Sequence, residues 1–234
     1  MERLFDYLVD QFQKLYQYIF KKIDLTELEE LNFTVVDLET TGFQYPPIDR
    51  IIEIGAVKIE KLQIKDSFST LVNPLKKIPP VATEVTGITD EDVANAPTIG
   101  KALKDFFRFS TDTVIVAYNV SFDYHFIQET SKLSMGYVPD ARTLCAFELS
   151  KKILYFLERY DLDVVAEYFN IKIENRHRAL GDAIATAKIF LILIDILKKI
   201  GITKYGEAKL FERANLTPPK IRELLEHYRR LGII

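Results

Sequence analysis

Two carboxylates one residue apart close an apolar run, Phe33-Thr34-Val35-Val36-Asp37-Leu38-Glu39-Thr40-Thr41-Gly42. Side chains alternate along a strand, so Asp37 and Glu39 share one face if the strand continues through them. Ionised carboxylates are poor strand formers and costly to bury unpaired, so the pair needs a compensating charge. Two further stretches place acids where an element begins. In Ala117-Tyr118-Asn119-Val120-Ser121-Phe122-Asp123, an apolar strand breaks into a helix start carrying Asp123. In His177-Arg178-Ala179-Leu180-Gly181-Asp182-Ala183, a loop histidine precedes an acid in the first turn of a long helix. Clustered carboxylate oxygens suit hard divalent cations, and an imidazole with a pKa of about 6.5 can take a proton near neutrality. Each stretch alone has a plainer account. Asp37 and Glu39 could be solvated acids entering a turn, and an acid in a first helical turn gains about 0.3–1 kcal/mol from the dipole.

The elements that must hold these residues can be read from pattern. Residues 33–37, 51–59 and 63–72 predict three strands in a meander. A helix over 98–108, a strand over 113–118 and helices over 122–133 and 180–199 follow. Helices recurring between strands indicate a sheet flanked by helices. Residues 1–30 read as an amphipathic helix, with Leu4, Leu8, Phe12, Leu15, Ile19 and Ile23 at helical spacing. Residues 31–200 form the α/β domain, and residues 201–234 a helical tail in which Thr217 caps a helix opened by Pro218 and Pro219.

The 234-residue chain is 48% hydrophobic, enough to bury a sizeable core. Its net charge of −3 argues against a broad basic surface for nucleic acid. The single cysteine, Cys145, excludes a disulfide within the chain and reads as a core residue. The apolar stretch 189–194 is far too short to span a bilayer, and the N-terminus lacks the pattern of a secretory leader. A cytoplasmic location without membrane contact is expected.

Taken together and in order, VVDLETTG, NVSFD and HRALGDA resemble the three motifs of the DEDD exonuclease superfamily. The histidine five positions before the last aspartate matches its histidine-containing branch. Residues 31–200 are similar to the exonuclease domain of the proofreading, epsilon type of bacterial DNA polymerase III. The resemblance implies an α/β, ribonuclease H-like fold: a mixed five-stranded sheet flanked by helices, whose first three strands form an antiparallel meander. It implies metal binding by Asp37, Glu39, Asp123 and Asp182, and a general-base role for His177. Two divalent cations, Mg²⁺ or Mn²⁺, would offset the four negative charges. Such charges repel by about 4 kcal/mol per pair at 4 Å and an effective dielectric of about 20. The expected reaction is hydrolysis of the last phosphodiester at a 3′ end, releasing a nucleoside 5′-monophosphate.

The same resemblance implies substrate contacts by Thr40, Thr41, Phe43, Thr86 and Asn119, although relatives often carry histidine where this chain has Thr86 and Tyr118. Asp161 and Asp163 read as capping residues, and Asp90, Glu91 and Asp92 as a solvated helix start. The expected partners are single-stranded or frayed 3′ ends of DNA and a DNA polymerase subunit. RNA trimming by the same chemistry is one alternative. A non-catalytic polymerase-associated scaffold is another, disfavoured because all five chemical positions are filled.

Overall fold

The computed structural model describes residues 24–213. A five-stranded sheet has the order β3-β2-β1-β4-β5, with β1 Phe33–Thr40, β2 Ile51–Glu60, β3 Gln63–Leu71, β4 Val114–Ala117 and β5 Thr143–Cys145. The first three strands form the expected antiparallel meander, and β1–β4 and β4–β5 pair in parallel. Strand β1 lies in the middle, where β-branched and aromatic residues fit a sheet covered on both faces.

Its two faces meet different layers. Phe33 and Val35 share a core with the long helix α7 (Ala179–Lys199), and the Phe33 and Phe190 rings pack edge to face 5.1 Å apart. Val36 and Leu38 face the opposite layer, built on α3 (Ile99–Phe109) and α4 (Val120–Met135). The remaining helices are α1 Pro80–Thr86, α2 Asp90–Val93, α5 Ala146–Ile153, α6 Leu162–Tyr168 and α8 Tyr205–Arg213. By alternation, Asp37 and Glu39 continue the α7-facing side of β1, at the end where α7 begins.

Close approach sets that junction. A Cβ on Gly55 of β2 would stand 2.2 Å from the backbone of Ala179 and Leu180. A Cβ on Gly181 would stand 2.1 Å from the carbonyl oxygen of Glu174. Only glycine lets the first turn of α7 rest on the sheet while its own lead-in loop folds back over it.

Two sequence expectations change. Strand β1 runs on through both acids to Thr40, because Glu39 pairs with Glu53 and Thr40 with Ile51. Residues 24–30 are not helical. Leu28 donates its N–H to the Thr203 carbonyl at 2.7 Å, Glu27 bridges Lys204, and Leu28 is wholly buried in the core of Phe33. The remainder of the expected N-terminal helix, residues 1–23, lies outside the described residues, as do the Thr217 cap and the rest of 214–234. The described part of the C-terminal segment is helical as α8, and it also enters this core through Ala208 and Phe211. Among the described residues no helix is long and apolar enough to cross a membrane.

Because Leu28 is 0% exposed, Leu28→Ala is expected to destabilise the fold by about 2–4 kcal/mol in urea denaturation. A loss under about 1 kcal/mol would place the 24–30 segment outside the cooperative unit.

Candidate active site

Three carboxylates meet where β1 passes the start of α7. One oxygen each from Asp37, Glu39 and Asp182 can be chosen so that all lie within 4.8 Å of one another. Asp37 and Glu39 come from alternate positions of β1, and Asp182 from the first turn of α7. The three line an open cleft of about 440 Å³ together with Asp123 and His177. Asp123 is buried in the first turn of α4, which begins because the Asn119 carbonyl accepts from Phe122 N–H at 2.8 Å and Asp123 N–H at 3.2 Å. Asp123 stands outside the tightest trio, but its charge acts on Asp37. His177 lies two residues before α7 with φ +62°, a left-handed conformation that a non-glycine residue adopts only when its surroundings hold it.

The five chemical positions are thus gathered in one cleft, and Phe43, Phe122 and Asn119 line it too. Phe43 is 87% exposed, its ring 6.2 Å from that of Phe122. The threonines sit differently. Thr40 donates to the Gly42 carbonyl at 2.6 Å. The buried Thr41 hydroxyl donates to Asp49 at 2.8 Å and accepts from Arg50 N–H at 3.1 Å. Thr86, also buried, donates to the Ala82 carbonyl and accepts from Ile88 N–H. Thr41 and Thr86 therefore hold the local backbone, and none of the three is among the residues described as lining the cleft.

Two basic residues escaped the sequence reading. Arg176 pairs with Asp182 inside the cleft, and its Nη1 lies 3.4 Å from His177 Nδ1. Its other edge forks onto Asp163, with Nε–Oδ1 at 2.8 Å and Nη2–Oδ2 at 3.0 Å. Asp163 thus holds this arginine, and the hydrogen bond lowers its own pKa. Asp161 occupies the cap position of α6 but makes no capping bond, and pairs with Arg159 instead. The second missed residue is Arg178, which forks onto the buried Glu53 of β2. Cys145 is buried in the core as expected.

A family model described as Exonuclease matches residues 34–190. The chain belongs to the exonuclease family. It is 37% identical over 182 residues to the DNA polymerase III subunit epsilon of Aquifex aeolicus, a match covering 77% of this chain and 90% of that protein. It is 42% identical over 178 residues to a DNA polymerase III PolC-type protein of Thermotoga maritima, covering 76% of this chain but 13% of the relative. The chain thus spans a small part of the PolC-type proteins it matches. Among solved structures, the nuclease domain of 3′hExo, described as a DEDDh family member bound to rAMP, matches with TM-score 0.62 and 20% identity over 76% of this chain and 97% of that one. Exonuclease X in complex with 5′ overhanging duplex DNA gives TM-score 0.59 and 24% identity, over 76% and 99%. These likenesses share the ribonuclease H-like fold.

In this exonuclease domain the acids strain against one another. Burial drives the Asp37 carboxyl well above the usual range, and the charges of Asp123, Asp182 and Glu39 add to it. Glu39 is raised to about 7 by burial, then by Asp182 and Glu53, with Arg176 and Arg178 opposing. Burial raises Asp123 to about 8, while backbone N–H groups of Leu38 and Asp123 itself pull it back. Burial also raises Asp182, against the pull of Arg176. Asp182 Oδ1 is buried with no hydrogen-bond partner among the described residues. An all-oxygen donor set, excess negative charge and an orphaned carboxylate oxygen fit a hard divalent cation.

The pH consequence has a definite sign. Below about pH 3 these acids are protonated in both folded and unfolded chains. As pH rises the unfolded chain ionises first, so the metal-free fold loses stability until Glu39 and Asp123 ionise at about 7 and about 8. In chelator the melting temperature should fall from pH 5 to pH 8, and Asp37→Asn should flatten that fall and raise the value at pH 8. A wild-type melting temperature that rises over this range, or a variant less stable than wild type at pH 8, would contradict this electrostatic account.

Proposed function

We propose that this chain is a metal-dependent 3′→5′ exonuclease that trims DNA 3′ ends during proofreading. The observation that carries the reading is the gathering of Asp37, Glu39 and Asp182 oxygens within 4.8 Å, in a cleft shared with Asp123 and His177. The name DNA polymerase III carried by the Aquifex aeolicus and Thermotoga maritima relatives supports the replication context.

In this reading Asp37, Glu39, Asp123 and Asp182 hold two Mg²⁺ or Mn²⁺ ions. When bound, these would supply positive charge to the scissile phosphate, to the attacking water and to the departing 3′ oxygen. His177 takes the proton of the attacking water through a ring nitrogen, an effect typically worth about 10²–10⁴-fold. The exposed Phe43 ring and its neighbour Phe122 offer faces on which terminal bases stack, at about 1–3 kcal/mol per base. Arg176 supplies counter-charge to Asp182.

With a net charge of −3 the chain binds free strands weakly, so a polymerase partner in the cytoplasm delivers the frayed end. Residues 1–30 and 201–234 are the proposed docking regions outside the nuclease domain, although Leu28, Ala208 and Phe211 share its core. RNA is the rival substrate, and the gathered acids do not distinguish the two sugars.

Incubation with 5′-labelled DNA and RNA single strands of one sequence, in Mg²⁺, Mn²⁺ or chelator, tests the reading. The expected result is a metal-dependent ladder shortening from the 3′ end, faster on DNA. Preference for RNA would reassign the substrate, and inert substrates would leave a binding role. His177→Ala should lower kcat by about 10²–10⁴-fold while Mn²⁺ binding by calorimetry stays intact. Unchanged kcat with chemistry rate-limiting would remove His177 from the base role.

A further inference from the structure

Glu53 is 2% exposed on β2, directly across the ladder from Glu39. An unpaired carboxylate there would be a fifth acid beside the cluster. Both its oxygens are instead engaged by the lead-in to α7. Arg178 Nη2–H donates to Oε1 at 2.7 Å, Arg178 Nε–H to Oε2 at 3.1 Å, and Ala179 N–H to Oε2 at 2.9 Å. Arg178 occupies the cap position of α7 and makes no capping bond with its own side chain. The cap is therefore supplied from another strand, 125 and 126 residues away in sequence. A charged acceptor is well suited to that place, because helix N-terminal N–H groups lack partners within the helix and carry partial positive charge. Two residues along β2, Gly55 gives the Ala179 backbone the space to seat.

We propose that Glu53 and Arg178 are positioning residues for His177, a latch that fixes the residues following the histidine to β2 and so holds its imidazole over the acid cluster. The proposal rests on the exonuclease reading and on the general-base role of His177 within it. His177 adjoins Arg178 directly, and its left-handed backbone has no glycine to ease it, so its direction depends on what holds residues 178 and 179. The same fork occupies both Glu53 oxygens, which keeps that carboxylate out of the metal set while it faces Glu39.

The test uses the full chain with Glu53→Gln and Arg178→Gln, each also combined with His177→Ala. Displacing a catalytic group by about 1 Å costs on the order of 10²-fold. Either latch variant should therefore lose about 10–100-fold in kcat, with KM for a short oligonucleotide and Mn²⁺ affinity nearly unchanged. In the His177→Ala background the further loss should be under about threefold, because both changes remove the same contribution. Arg178 is 46% exposed at its side chain, so Arg178→Gln decides the matter if the buried Glu53→Gln fails to fold. Full kcat in Arg178→Gln, or an equal loss with and without His177, overturns the latch. A wild-type chain inactive on every strand instead overturns the exonuclease reading, so the two failures are distinct.

Discussion

The constraint on which the structure turns is repulsion between like charges held out of water. Asp37, Glu39, Asp123 and Asp182 share one cleft, and burial raises the pKa of each. At separations of about 4 Å each pair of charges costs about 4 kcal/mol at an effective dielectric of about 20. No fold carries such a cluster for stability, and a local counter-charge is the physical remedy. Arg176 supplies part of it through Asp182, and Arg178 offsets part of the charge that Glu53 sets against Glu39. The residual negative charge and an Asp182 oxygen without a partner among the described residues define what the site is fit to receive.

The scaffold resists that repulsion by placing the acids on parts that cannot yield. Strand β1 is central, and both its faces are packed. Its α7-facing side runs without a break from Phe33 and Val35 into Asp37 and Glu39, so core packing and the geometry of the acid cluster share one strand register. Helix α7 presses against the sheet at Gly55, and its buried residues anchor Asp182 from behind. The helix N-termini at Asp123 and Asp182 favour negative charge there. The histidine sits on the connecting segment just before α7 and lines the same cleft.

Much of this was legible in sequence because it is local. Alternation in β1 to β3 and the acid spacing depend on near neighbours, and the long apolar helix announces itself by length. What escaped was non-local. Arg176 with Asp163, and Arg178 with Glu53, join residues 13 and 125 apart, so Asp163 read as a helix cap and Glu53 as one more strand residue. Residues 24–30 carry spacing compatible with a helix, yet their backbone is taken by residues 203–206. Thr41 stands beside the acids in sequence, but Asp49 captures its hydroxyl. Short elements such as β5, with three residues, hold too little pattern to be read without their partners.

Anomalous scattering from crystals soaked in manganese tests the central claim most directly. Mn²⁺ held among the carboxylates of Asp37, Glu39, Asp123 and Asp182, with Arg176 turned away from Asp182, is the result this account predicts. Saturating manganese that leaves these four side chains without an ion, or that settles only on exposed acids elsewhere, would contradict it.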